Sequence, residues 1–148
     1  SAAALVEVDD LPGAADDADP DADLAALQAA FLASEWAART PEAVEVAVET
    51  PVAGVVVRGR IDAVFRDPDG CWQVVDWKTG RPAHGDGVRV RAVQLAVYRL
   101  AWSRLQGIPL DRVGAAFFYA GAGCTVRPVD LLDEAGLVEL VQGALSTG

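Results

Sequence analysis

"RGRIDAVFRDPDGCWQVVDWKTG", residues 58–80, carries two runs rich in β-branched and aromatic residues joined by Asp67-Pro68-Asp69-Gly70. Pro68 suits the first central position of a type I turn, and Gly70 suits a left-handed residue after it, the usual three-residue hairpin loop. The stretch therefore predicts an antiparallel hairpin. Such a loop pairs Asp67 with Cys71, so Asp62 falls opposite Asp76. Alternation along the second strand puts Asp76 and Lys78 on one face and Val75 and Trp77 on the other.

Two carboxylates facing each other across a hairpin have Cβ atoms roughly 5 Å apart. At an effective dielectric of about 20 they repel by on the order of 3 kcal/mol. A shared proton relieves this, and so does a divalent cation. An all-oxygen donor set favours magnesium or manganese over zinc, and no His or Cys cluster argues otherwise. Lys78 is the only lysine in a chain with eleven arginines. A compact ammonium beside two acids can offset developing negative charge, where arginine is a permanent planar fork. Asp-x-Lys alone is a weak signal in so acidic a chain. It gains weight from Thr79-Gly80 and from Gln94 and Tyr98, four residues apart on one face of an otherwise apolar helix.

Outward from the hairpin, "AVEVAVET" (43–50), "VVVRGRIDAVFR" (55–66) and "CWQVVDWK" (71–78) read as three strands. Leu24, Leu27, Phe31, Leu32 and Trp36 recur at helical spacing behind Asp21 or Asp23 as cap, with the helix ending before Thr40-Pro41. "VRAVQLAVYRLAWSRLQG" (90–107) is an amphipathic helix closed by Gly107, followed by strands at 113–121 and 124–130 and a helix at 131–145. The order is helix, three strands, helix, two strands, helix, an α/β layer structure without repeats. Residues 1–22 are expected to be an acidic flexible arm or linker, since residues 9–24 hold two prolines and no aromatics, and 23–148 the folded domain.

The 148 residues suffice for one buried core, with 52% hydrophobic residues and four tryptophans read as core. No apolar run reaches the roughly 18 residues of a membrane span, so a cytoplasmic location without a membrane partner is expected. The chain has no methionine, which points to a piece of a longer polypeptide. Cys71 and Cys124 are too far apart for a metal-binding pair and read as apolar fillers. The net charge is −10. Residues 1–50 carry 12 acids and one arginine, whereas residues 51–104 carry nine cations and five acids. A basic middle in an acidic chain indicates a local anion site. Arg58, Arg60, Arg81, Arg89 and Arg91 flank that site in sequence, each read as a surface charge able to meet phosphate. His84, in a glycine-rich loop, reads as solvated. A sugar- or nucleotide-binding domain is disfavoured, because no glycine-rich phosphate loop is present.

"RGRIDAVF", "VVDWKTG" and "QLAVY" resemble the G-x-x-D strand, D-x-K strand and Q-x-x-x-Y helix of the RecB-like branch of the PD-(D/E)XK nuclease superfamily, over roughly residues 31–145. The resemblance implies a restriction-endonuclease-like α/β core, a central mixed sheet flanked by helices. It also implies Asp62 and Asp76 as magnesium or manganese ligands together with the Trp77 carbonyl, Lys78 as the catalytic lysine, Gln94 positioning phosphate or lysine, and Tyr98 supporting that helix face. The texture is closest to nuclease domains at the C-terminal ends of helicase-nuclease subunits of the RecB, AddA and AdnB type. A metal-dependent deoxyribonuclease working in DNA end processing and recombinational repair is the implied function. A single DNA strand would be delivered by motor domains of the same chain, beside a second helicase-nuclease subunit and at the nucleoid. The alternative is an inactive nuclease fold kept as a scaffold or DNA guide. The family adds a His or Glu from a helix ahead of the sheet. Here no G-x-x-x-H segment precedes it, leaving Glu35 as a candidate and an upstream residue as the expectation. Glu45 reads as a strand residue. Two cysteines cannot supply the four needed for an iron-sulfur cluster.

Overall fold

A computed structural model describes residues 4–11 and 23–147, except for the side chains of Asp86 and Thr147. The strands are β1 (Ala4–Glu7), β2 (Ala43–Val52), β3 (Val55–Arg66), β4 (Trp72–Lys78), β5 (Val113–Tyr119) and β6 (Cys124–Val126). The helices are α1 (Leu24–Leu32), α2 (Asp86–Gln106) and α3 (Glu134–Thr147). The six strands form one mixed sheet, restriction-endonuclease-like in its α/β layering. None of the described helices is long and apolar enough to cross a membrane.

The hairpin forms on the expected loop. Asp67 N donates to Cys71 O at 2.8 Å, Gly70 N donates to Asp67 O at 2.9 Å, and Gly70 takes φ 89°, a conformation that costs a side-chain-bearing residue free energy. The ladder then runs from Arg66↔Trp72 to Ala63↔Val75. β4 continues through α2 into β5, which pairs with it in parallel, as a helical crossover allows.

β3 is the organising strand. β2 covers one edge along its length, from Val52↔Val55 to Ala43↔Val64. The other edge is divided, with β1 paired in parallel to Val55–Arg58 and β4 paired to Ala63–Arg66. Between them, residues 59–62 face a fork. At this fork the strands also kink. Val55, Val57, Ile61 and then Val64 pack in the core under α2, whereas Ala63 and Phe65 pack on the opposite side, so strict alternation fails at Asp62. On β2 the same slip occurs at Glu45, whose φ is 49°, and Glu45 and Asp62 are skipped in the β2–β3 register.

Two cores result. Leu95, Tyr98, Ala101 and Trp102 of α2 cover one face together with Leu137 of α3. Trp36, Phe65, Phe118, Phe31 and Trp77 fill the other, with Phe31 and Trp77 meeting edge to face at 5.5 Å. All four tryptophans thus pack into cores.

Several boundaries differ from the sequence reading. Ala4–Asp10, expected in a flexible arm, instead forms β1 and a 3-10 turn (Val8–Asp10) with Val8 fully buried. Residues 12–22 of that arm lie outside the described residues. α1 begins on Asp23, whose carboxylate accepts from Ala25 N at 3.0 Å. It stops at Leu32 because Ser34 Oγ donates to Phe31 O at 2.6 Å, competing with the helical ladder. Trp36 is buried from the irregular segment that follows. β6 ends at Val126, two residues before Pro128, which has no N–H for the ladder. α3 starts at Glu134, where Asp133 Oδ1 accepts from Gly136 N at 2.9 Å.

Candidate active site

The fork in the edge of β3 opens into a cleft of about 1010 Å³, lined among others by Asp9, Arg58, Arg60, Asp62, Asp76, Trp77 and Lys78. Asp62 comes from β3 at the kink. Beyond Ala63↔Val75 the two strands part, and the Trp77 N–H is taken by Asp62 Oδ2 at 2.7 Å. A side-chain bond thus replaces the next rung and turns the Asp62 carboxyl toward Asp76. The two carboxyls lie in hydrogen-bonding reach of each other.

Asp76 and Lys78 point under α2 from alternate positions of β4, each 5% exposed. Lys78 Nζ lies 3.0 Å from Asp76 Oδ2 and donates to Gln94 Oε1 at 3.3 Å. Its ammonium stands 5.7 Å from the Phe117 ring. Burial pushes the Asp76 carboxyl up to about 7, against the pull of Lys78 and with further lift from Asp62. Asp62 is likewise raised by burial, opposed by the Trp77 N–H. Burial thus disfavours the charged form of both carboxyls.

Gln94 and Tyr98, 0% and 1% exposed, back the site from α2, Gln94 against Lys78 and Tyr98 against Gly59. The Tyr98 hydroxyl meets the Gln94 side chain and the Arg60 main chain, and burial raises its pKa further above the ordinary phenol value. Gly59 explains the glycine of R-G-R-I-D. A Cβ there would stand 2.9 Å from Tyr98 Oη and 3.1 Å from Val8 Cβ, so the tyrosine packs directly on bare backbone.

The five side chains expected at the site, Asp62, Asp76, Lys78, Gln94 and Tyr98, thus converge beneath the fork, with the Trp77 main chain in the cleft wall and its indole in the second core. Glu35 does not join them. It is ion-paired with Arg127 and does not line the cleft. Glu45 is exposed at the kink. Arg58 and Arg60 line the cleft, Arg58 paired with Glu7, and Arg81, His84 and Arg89 are exposed. Arg91, read as a surface charge, is instead 2% exposed. Its Nη1 donates to Arg81 O and Tyr119 Oη, both at 3.3 Å, tying the loop after Lys78 to α2 and β5.

Asp9, like Glu7 and Glu49, lines the cleft without having been singled out by the sequence reading. It follows β1 and accepts from Gln94 Nε2 at 3.4 Å. The alternation in Leu5-Val6-Glu7-Val8 was its only local signal.

A divalent ion fits this donor set in one respect that the fold leaves open. Asp76 Oδ2 is buried and held by the Lys78 ammonium at 3.0 Å, and a carboxylate oxygen with one such contact keeps a lone pair for another electrophile. Among the described residues, no group of three or more His, Cys, Asp and Glu side chains is arranged to hold a metal. Asp62 and Asp76, facing each other at the fork, are the carboxylates that could hold one, with water completing the sphere, as hard cations accept.

The family model described as the PD-(D/E)XK nuclease superfamily matches residues 2–142. No curated protein sequence matches the chain. Among solved structures, the crystal structure of SSO0001 superimposes with a TM-score of 0.45 at 23% identity, covering 71% of this chain. The chain spans 49% of that structure's length.

Proposed function

The chain belongs to the PD-(D/E)XK nuclease superfamily, and from that premise we propose that it is a divalent-metal-dependent deoxyribonuclease domain of a RecB-like helicase-nuclease, hydrolysing phosphodiester bonds at DNA ends during recombinational repair. The observation that carries the reading is the convergence of Asp62, Asp76 and Lys78 at the fork, where two carboxylates and one ammonium share a cleft. Bound there, one or two magnesium or manganese ions would supply positive charge to the attacked phosphate and its leaving oxygen.

The chain's own groups do the rest. Asp62 and Asp76, as carboxylates, would hold the ion. Lys78 Nζ, fixed between Asp76 and Gln94, donates to charge that develops on the phosphoryl oxygens, a contribution that grows in a site closed to water. Tyr98 fixes the helix face bearing Gln94. Arg58 and Arg60 on the cleft wall meet flanking phosphates. The helicase context rests on the residue-level resemblance and on the charge distribution. A chain at −10 overall attracts DNA poorly by itself, which suits a strand delivered by motor domains and a partner subunit.

A second reading, a nuclease fold kept as a scaffold or DNA guide, is favoured by one observation: among the described residues, no three His, Cys, Asp or Glu side chains are grouped to hold a metal. Cleavage of single-stranded DNA with manganese, by the full helicase-nuclease and its Asp76→Asn and Lys78→Met forms, separates the two. Loss of cleavage with motor ATP hydrolysis retained supports the nuclease. Unchanged cleavage in both variants refutes it.

A further inference from the structure

Gln94 is fully buried and has two unlike ends. Its Oε1 accepts from Lys78 Nζ at 3.3 Å, and its Nε2 donates to Asp9 Oδ1 at 3.4 Å. An ammonium can only donate and a carboxylate can only accept. A primary amide between them satisfies both in a single orientation. Turned over, it would set its NH₂ against Nζ and its oxygen against a carboxylate, repulsive at both ends. We infer that Asp9 is a positioning residue, whose carboxylate fixes the Gln94 amide so that Oε1 faces and aims Lys78.

The chain around Asp9 is built to hold it there. Glu7 pairs with Arg58 in the β1–β3 register and through an ion pair. Val8, fully buried, packs on the bare backbone of Gly59. Leu11 N donates to Val8 O at 3.1 Å and closes the 3-10 turn on the far side. Asp9 is thereby anchored on both sides while its own side chain stays at the open edge of the cleft. Gly59 thus accommodates both Tyr98 and the segment that presents Asp9, which gives the glycine a reason beyond helix packing.

The role in catalysis rests on the nuclease reading above, but the geometric part can be tested without it. Because Lys78 is the only lysine of the 148 residues, this domain grown with ¹³C,¹⁵N-lysine gives one Cε–Nζ signal. Asp9→Ala should move that signal toward its position in Gln94→Ala, and Asp9→Asn, whose Oδ1 still accepts, should leave it near wild type. In the cleavage assay Asp9→Ala should lower kcat by about three- to tenfold, the size of one lost hydrogen bond to a polar network, with KM for DNA and the half-saturating metal concentration unchanged. Asp9→Asn should restore the rate. An unmoved lysine signal in Asp9→Ala overturns the inference. So does an Asp9→Asn form as impaired as Asp9→Ala with a raised metal requirement, which would make Asp9 a metal ligand. If the full helicase-nuclease with wild-type sequence does not cleave, the nuclease reading fails while the lysine signal still decides the role of Asp9.

Discussion

Asp76→Asn should abolish metal-dependent cleavage and, with EDTA present at pH 8, raise the stability of the domain. The side chain is 5% exposed, and its carboxyl is lifted from 3.8 to about 7, first by burial, with Lys78 opposing and Asp62 adding. The folded state therefore binds this proton more tightly than the unfolded chain does. Stability is highest when both states hold the proton, falls as pH rises from about 4 to 7, and levels off above. At about 1.4 kcal/mol per pH unit, the rise caps the cost of the charged form at about 4 kcal/mol. Asparagine keeps the shape and removes the charge, but it also leaves the Lys78 ammonium without its counter-charge, itself a penalty in a buried site. A net gain on the order of 1–2 kcal/mol should remain, or about 3–8 °C in Tm for a domain of this size. Thermal unfolding of both forms from pH 5 to 8.5 reads this directly. Wild type should lose stability with pH, the variant much less, and the curves should cross. Added manganese should then stabilise wild type at pH 8 and not the variant. A variant less stable than wild type at pH 8 in EDTA would refute the reasoning, since Asp76 would then serve mainly as the structural counter-ion of Lys78.

Gly59→Ala places a methyl group 2.9 Å from Tyr98 Oη and 3.1 Å from Val8 Cβ, both held in a core. It should cost about 1–3 kcal/mol in urea unfolding and lower cleavage with it. Ala53, at φ 51° beside Gly54 at φ 80° in the β2–β3 turn, fits a type I′ position, so Ala53→Asn should stabilise by about 0.5–1 kcal/mol in the same measurement. Lys78→Arg retains charge but not shape in a site 5% exposed. A cleavage loss of about 100-fold or more is expected, with little change in the salt dependence of DNA binding. The isolated chain, at net charge −10, should bind single strands and duplex weakly and cut them poorly even at low salt with manganese. Robust cleavage that vanishes in Asp76→Asn would show that motor domains and partner are dispensable.

The hairpin was legible because its cause is local: Pro68 and Gly70 fix the loop, the loop fixes the pairing of Asp67 with Cys71, and the register carries Asp62 to the level of Asp76. Lys78 and Asp76 share a face because strand side chains alternate, and Gln94 and Tyr98 share one because helix neighbours recur every four residues. Counting backward along β3 from its own apolar positions would have misled, since alternation breaks at Asp62 where Glu45 takes a left-handed backbone on the neighbouring strand. That kink, the fork it opens, the pairing of β1 with the free half of β3 and the burial of Arg91 were decided only by tertiary structure. Composition made residues 1–22 look like a solvated arm, because four residues of weak alternation have no stability until a strand edge receives them. Asp9 reaches Gln94, 85 residues away in sequence, through a contact that no local pattern encodes. A short strand and a buried guanidinium are stabilised by partners far along the chain, so their free energy is a property of the assembled sheet and helix and not of the segments that contain them.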